Sequence, residues 1–239
     1  MIPRQVPVAA PAHVRQRLLE AAPGPREVVH ASASAIYVDL DGWCLGLVSA
    51  TATRVPCALW STLPDLVAHA GSPVAVRDGV LVLGDDELRI TRLADPRATT
   101  VGRHENPPSA PEVLLSHQLD LPRDGRLTTA HLDRLLGRGP GLTPLGDAET
   151  PAYGTRERGV GVAGAVRRRL GVTTLLSATL IDCAIRGEVL PQLGAWLADP
   201  SSATRDALLA VGATSGTGLL AGASLALTSA SVHPLRRTA

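Results

Sequence analysis

Residues 74–83 read Val-Ala-Val-Arg-Asp-Gly-Val-Leu-Val-Leu. Asp-Gly tolerates the positive φ that a tight hairpin turn demands, and the apolar runs on either side suit a pleated, half-buried surface. The chain is therefore expected to fold back here as two antiparallel strands, Val74–Arg77 and Val80–Leu83. Gly84-Asp85-Asp86 repeats the turn signal, and Leu88–Leu93 supplies a third strand. Upstream the texture is the same: Val28–Leu40, the turn Asp41-Gly42, Trp43–Val48 and Val55–Trp60, with a brief helix expected at Asp65–Ala70. These runs predict an antiparallel β-sandwich or barrel-like half.

Before this half, Ala12–Ala22 has helical spacing, with Val14, Leu18 and Leu19 on one side, and stops at Pro23-Gly24-Pro25. After it, Ala94–Gly125 is rich in proline and polar residues and reads as a connector. Helical patterns then follow at Ala130–Leu136, Val160–Leu170, Thr173–Arg186, Gln192–Leu197, Ala203–Val211 and Ser215–Ser229, with a break at Asp199-Pro200-Ser201. The expected class is α+β, in three parts: residues 1–25 a helix and linker, 26–125 the β-rich half with its connector, and 126–239 a helical half. No repeat of solenoid period is visible.

Composition narrows the function classes. The 239 residues carry a formal charge of +1 and 2% aromatic residues, which gives neither the field nor the stacking platforms that nucleic-acid binding uses. The chain has no lysine and no phenylalanine, a pattern of GC-rich coding, so an individual arginine carries little meaning. Cys44, Cys57 and Cys183 are widely spaced without a Cys-x-x-Cys pair, which fits a reducing cytoplasm and no thiolate metal site. The proline-broken N-terminus is a poor secretory signal. Ala207–Pro234 contains no Asp, Glu, Lys or Arg but is interrupted by Gly212, Gly216, Gly218 and Gly222, and reads as a buried helix pair, not a membrane span.

The densest constellation of ligand-holding residues is Gly139-Pro-Gly-Leu-Thr-Pro-Leu-Gly-Asp147. Its glycines and prolines end the preceding helix and fix a backbone path that can present amides at Gly139, Gly141 and Gly146, the Thr143 hydroxyl and the Asp147 carboxylate to an anion. A rigid interhelical turn explains the same residues without a ligand. The absence of a Gly-Lys-Ser or Gly-Lys-Thr sequence disfavours nucleotide triphosphate hydrolysis. Thr214, Ser215 and Gly216 open an apolar segment and could offer a helix N-terminus, or simply a cap. In Thr173–Leu180 the stripe Leu176, Leu180 and Ala184 should face a core, while Thr173, Ser177 and Thr179 line a pocket or bond back to carbonyls of the preceding turn. Arg186 could clamp a carboxylate, but Asp182 and Glu188 offer it ordinary partners.

His30, His104, His117 and His131 are scattered without ligand spacing, so no metal and no cofactor are expected. Ser116, His117 and Asp120 lack the Gly-x-Ser-x-Gly elbow of a hydrolase. Cys183 reads as buried packing.

In order and spacing, the 139–147 loop, the Thr173–Leu180 segment followed by Arg186-Gly187-Glu188, and Thr214–Gly218 resemble the bacterial domain-of-unknown-function family typified by AllH, a subunit associated with oxamate carbamoyltransferase. The likeness runs from about Val28 to Leu227, although the first half contributes only texture such as Val29-His30-Ala31-Ser32. Family members usually continue the first motif as Gly-Asp-Asp and write the second as Gly-His-Thr-Ser-Gly. Here Ala148 and Ala213 stand in those places, and Glu149–Val162 reads as loop where the family has helix. The resemblance implies a subunit of a carbamoyltransferase-type assembly handling oxamate and carbamoyl phosphate in purine or allantoin nitrogen catabolism. It would bind a small anionic metabolite beside other subunits, with no nucleic acid or membrane partner. No general base is identifiable, and a catalytically silent metabolite-binding or scaffold subunit is the competing reading.

Overall fold

In a computed structural model of the chain, residues 3–98, 132–133, 136–137, 160–212 and 214–232 are described. The chain divides into two compact units, residues 1–96 and 97–239. In the first, nine strands form one sheet: β1 Arg4–Pro11, β2 Gly24–Arg26, β3 Val28–Ala31, β4 Ala35–Asp39, β5 Cys44–Val48, β6 Ala58–Ser61, β7 Val74–Arg77, β8 Val80–Leu83 and β9 Asp86–Ala94. The order is β2-β7-β8-β9-β1-β6-β5-β4-β3. Its two outermost strands, β2 and β3, are consecutive in the chain and joined by Glu27, so the sheet curls into a nearly closed barrel-like form. The Asp39 N–H donates to the Glu27 carbonyl at 2.9 Å, extending the β3–β4 ladder to the residue that joins β2 to β3.

The hairpins follow the turn chemistry. Asp41 and Gly42 have φ of 56° and 81°, and Asp78 and Gly79 have φ of 49° and 73°, the positive pair that a two-residue turn between twisted strands requires. Two features were not visible in the sequence pattern. The run Val28–Leu40 is two strands, broken at Ser32–Ser34, where the Ser32 hydroxyl accepts from the Ala35 N–H at 3.1 Å. Residues 4–11, for which the sequence pattern offered no strand, form β1 near the middle of the sheet, parallel to β9 and antiparallel to β6. Pro7 is tolerated because the β6 ladder begins only at Val8, so on that flank its missing N–H forfeits no bond. The β1–β9 and β5–β6 contacts are parallel, because long connections, not hairpins, join those pairs.

Helix α1, Ala12–Glu20, buries Val14 and Leu18 completely, whereas Leu19 is exposed. Its Arg17 guanidinium stacks over the Trp43 ring at 4.7 Å. The expected helix near Asp65 is a single 3-10 turn, Val67–His69, with the Asp65 carboxylate accepting from the Val67 N–H at 3.0 Å.

The second unit holds α2 Val160–Arg167, α3 Leu175–Ile185, α4 Pro191–Ala198, α5 Ser202–Leu209 and α6 Ser215–Val232. Helix α2 therefore begins at Val160, inside the stretch expected to be irregular, while 149–159 lie outside the described residues. Two apolar clusters organise the unit. Leu193, Trp196 and Leu197 of α4 meet Leu208 of α5 and Leu219, Leu220, Ala223 and Leu227 of α6. Leu132 and Leu136 meet Ala165 and Val166 of α2 and Ile181 of α3. The break at Asp199-Pro200 is followed by a capping box, in which Ser201 and Thr204 satisfy each other's backbone donors at the start of α5. Among the described residues, no helix is long and apolar enough to cross a membrane.

Candidate functional site

Helix α3 carries two of the described candidate residues, Ser177 in its first turn and Arg186 at its C-terminal end. Thr174 caps its start, with Oγ1 accepting from the Ser177 N–H at 3.2 Å. That leaves the stacked peptide dipoles with a partly positive end beside Thr173 and Thr174. Ser177 and Thr179 are both buried, so the helix has polar groups inside as well as out. The expected stripe is only partly right: Leu176 and Ala184 are buried, Leu180 is half-buried, and Ile181 takes the core position.

The segment leading into the glycine loop is anchored beside this helix start. Leu136 donates to the Leu132 carbonyl at 3.0 Å, and Gly137 has φ of 74°, a left-handed helix ending as the sequence implies. A β-carbon on Gly137 would lie 2.7 Å from the Val172 carbonyl oxygen and 4.0 Å from the Thr173 Cα. Only glycine fits that approach. Asp133 is tied to Arg169 just before Val172; the Arg169 hydrogen bond lowers the carboxyl pKa most, against the opposing effect of burial, and the Arg169 charge adds to the lowering. Gly137, two residues before Gly139 in sequence, thus lies beside the α3 N-terminus. Gly139, Gly141, Thr143, Gly146 and Asp147 themselves lie outside the described residues.

Arg186 stands at the other end of α3, about 16 Å along the axis at 1.5 Å per residue. Its guanidinium is engaged: Nε and Nη2 donate to Glu188 at 3.3 and 3.2 Å, Nη1 pairs with Asp182, and Nη2 reaches the Cys183 sulfur at 3.2 Å. Arg167 donates to the other Asp182 oxygen at 3.1 Å. Two arginines and two acids balance one another in this network, so an anion could reach Arg186 only by displacing a carboxylate. Burial pushes the Cys183 thiol well up, which argues against a nucleophile there.

The second motif belongs to the other cluster. Ser215 begins α6, and Gly216 N–H donates to the Val211 carbonyl at 2.9 Å. A β-carbon on Gly216 would lie 1.9 Å from the Leu208 carbonyl oxygen, so close packing of α6 on α5 accounts for this glycine without a ligand. Thr214 is exposed and Ala213 lies outside the described residues. The described residues thus bring Gly137 and the Thr173–Ser177 turn together, and hold Arg186 apart from them. Sequence reasoning missed the Thr174 cap, although a threonine directly before an apolar helical run is the usual signal. It also missed the Asp133–Arg169 tie, which no spacing reveals.

Compared with known families, residues 135–227 match the family described as oxamate carbamoyltransferase subunit AllH. The matched range opens just before Gly137 and closes at Leu227, a core residue of α6. It covers the glycine loop, α3 and the α6 start, where the sequence resemblance was strongest, and none of the β unit. No curated protein and no solved structure matches the chain.

Proposed function

We propose, from the match of residues 135–227 to the AllH family, that this chain is an AllH-like subunit of a carbamoyltransferase-type assembly and binds a small anionic metabolite at the 139–147 loop. The observation that carries this reading is the anchorage of Gly137 against Val172 and Thr173, beside the capped, partly positive end of α3 and two residues before Gly139. In this reading amides of Gly139, Gly141 and Gly146 and the hydroxyl of Thr143 hold a phosphate or carboxylate. Asp147 orients a donor, and Thr173, Thr174 or Ser177 adds the helix end. The candidate ligands are oxamate and carbamoyl phosphate, and the chemistry asked of the protein is to position two anions and stabilise developing charge on oxygen. Ser215 and Thr214 contribute if α6 reaches the same site; Arg186 contributes only if Glu188 releases it.

A catalytically silent scaffold subunit is the second reading. It is favoured by Ala148 and Ala213, by the neutralised Arg186 and by the packing role of Gly216. The test is a thermal melt of the full chain with carbamoyl phosphate, oxamate or phosphate. A ligand at about a hundred times its dissociation constant adds roughly 2.7 kcal/mol of stability. The parent should shift upward, while Thr143→Val and Gly141→Val should not. A parent that ignores all three anions, or variants that respond as the parent does, would leave the scaffold reading.

A further inference from the structure

The connection between β6 and β7, residues 62–73, begins beside β1 and must reach the far side of β8, passing the ends of β1, β9 and β8 on the way. All of its anchors lie at one end of the sheet. Strands β1 and β9 start there, β8 finishes there opposite Asp86, and Ala33 and Ala50 flank the same ends of β4 and β5. Leu66 is fully buried, and its N–H donates to the Ala33 carbonyl at 2.7 Å. Its neighbours Asp65, Val67 and Ala68 are exposed. The connection is a strap across the barrel end with a single apolar plug.

Beyond Leu66 the described residues pin the strap by one side chain and, at its far end, by the Gly84 N–H, which donates to the Pro73 carbonyl at 2.9 Å. His69 Nε2 lies 2.8 Å from Asp86 Oδ2 at the start of β9, and since a carboxylate can only accept, Nε2 carries the proton. The same carboxylate accepts from Arg4 Nε at 2.8 Å. Nδ1 of His69 is buried without a hydrogen-bond partner among the described residues, so the ring is held through Nε2 alone. Two residues on, Gly71 has φ of 79° with open space where a side chain would stand, a natural pivot.

We propose that residues 62–73 form a hinged strap that opens as a unit, with the His69–Asp86 contact as its latch and Leu66 as the plug withdrawn from the barrel end. The inference is independent of the reading of the helical half. Local opening of this kind is expected where a few contacts hold an otherwise exposed segment.

Amide hydrogen exchange on the full chain tests it. In His69→Ala the amides whose bonds join the strap to the barrel, Leu66 to Ala33, Ala50 to Leu63 and Gly84 to Pro73, should exchange together, on the order of tenfold faster than in the parent, while the β8 and β9 ladder amides keep their rates. Arg4→Gln, which leaves the latch in place, should not accelerate the strap. His69→Gln, whose side-chain amide can take the place of Nε2, should restore slow exchange. If His69→Ala does not fold, His69→Asn, too short to reach Asp86, is measured in its place. Unchanged strap exchange, equal acceleration throughout the β unit, or the same effect from Arg4→Gln would overturn the proposal.

Discussion

The Cα of Gly216 faces the carbonyl of Leu208 so closely that a β-carbon would stand 1.9 Å from its oxygen. Both partners are helical backbone, at the end of α5 and the start of α6, so neither side can yield by a rotamer change. Gly216→Ala should therefore destabilise the helical unit by about 3 kcal/mol, the upper part of the range for overpacking. Urea unfolding is the check. A parent-like midpoint would mean that the approach does not hold this glycine in place.

The capping hydroxyls give a second expectation. Thr174 caps α3 and Ser201 caps α5, in different clusters. Thr174→Ala and Ser201→Ala should each cost about 1 kcal/mol and should add in the double variant because the sites share no partner. Thr174→Ser, which keeps the acceptor, should behave nearly as the parent.

Acid should act on the β unit through Asp86. The hydrogen bond from Arg4 lowers its carboxyl pKa most, with further lowering by His69 and by both positive charges, against the opposing effect of burial. A carboxyl whose folded pKa lies below its unfolded value of about 3.9 contributes stability that is fully present above that pH and lost as pH falls through the folded value. Asp86→Asn should thus be less stable than the parent at pH 7, and the two should converge as pH drops below about 4. Melts of both proteins across this range decide it; a gap that stays constant would show that Asp86 contributes no ionisation-linked stability.

The three cysteines should be silent in the folded chain. Cys44, Cys57 and Cys183 are all fully buried, and burial, with Asp39 adding to it, pushes the Cys44 thiol up to about 12. A thiol reagent at pH 8 should label none of them rapidly under native conditions and all three in denaturant. Fast labelling of any one would place it nearer the surface than its packing indicates.

What the sequence by itself determined about this protein is local. Asp41-Gly42 and Asp78-Gly79 dictate their turns because few residue pairs accept two positive φ values in a row. The helices from Val160 to Val232 follow from apolar periodicity and from breakers such as Asp199-Pro200. The AllH likeness was legible at Thr173–Leu180 and Thr214–Gly218 because motifs are sequence-local. The tertiary structure alone decided which distant segments meet. Residues 4–11 become an interior strand because β9 and β6 offer a ladder on either side, which outweighs the low strand propensity of Pro7. Arg167 of α2 reaches Asp182 of α3, and Gly216 is fixed by packing, because helices that stack bring a carboxylate and a carbonyl within contact distance. Spacing along the chain cannot report such encounters: they depend on how helices and strands stack, and a single sequence encodes that only through the packing of its core.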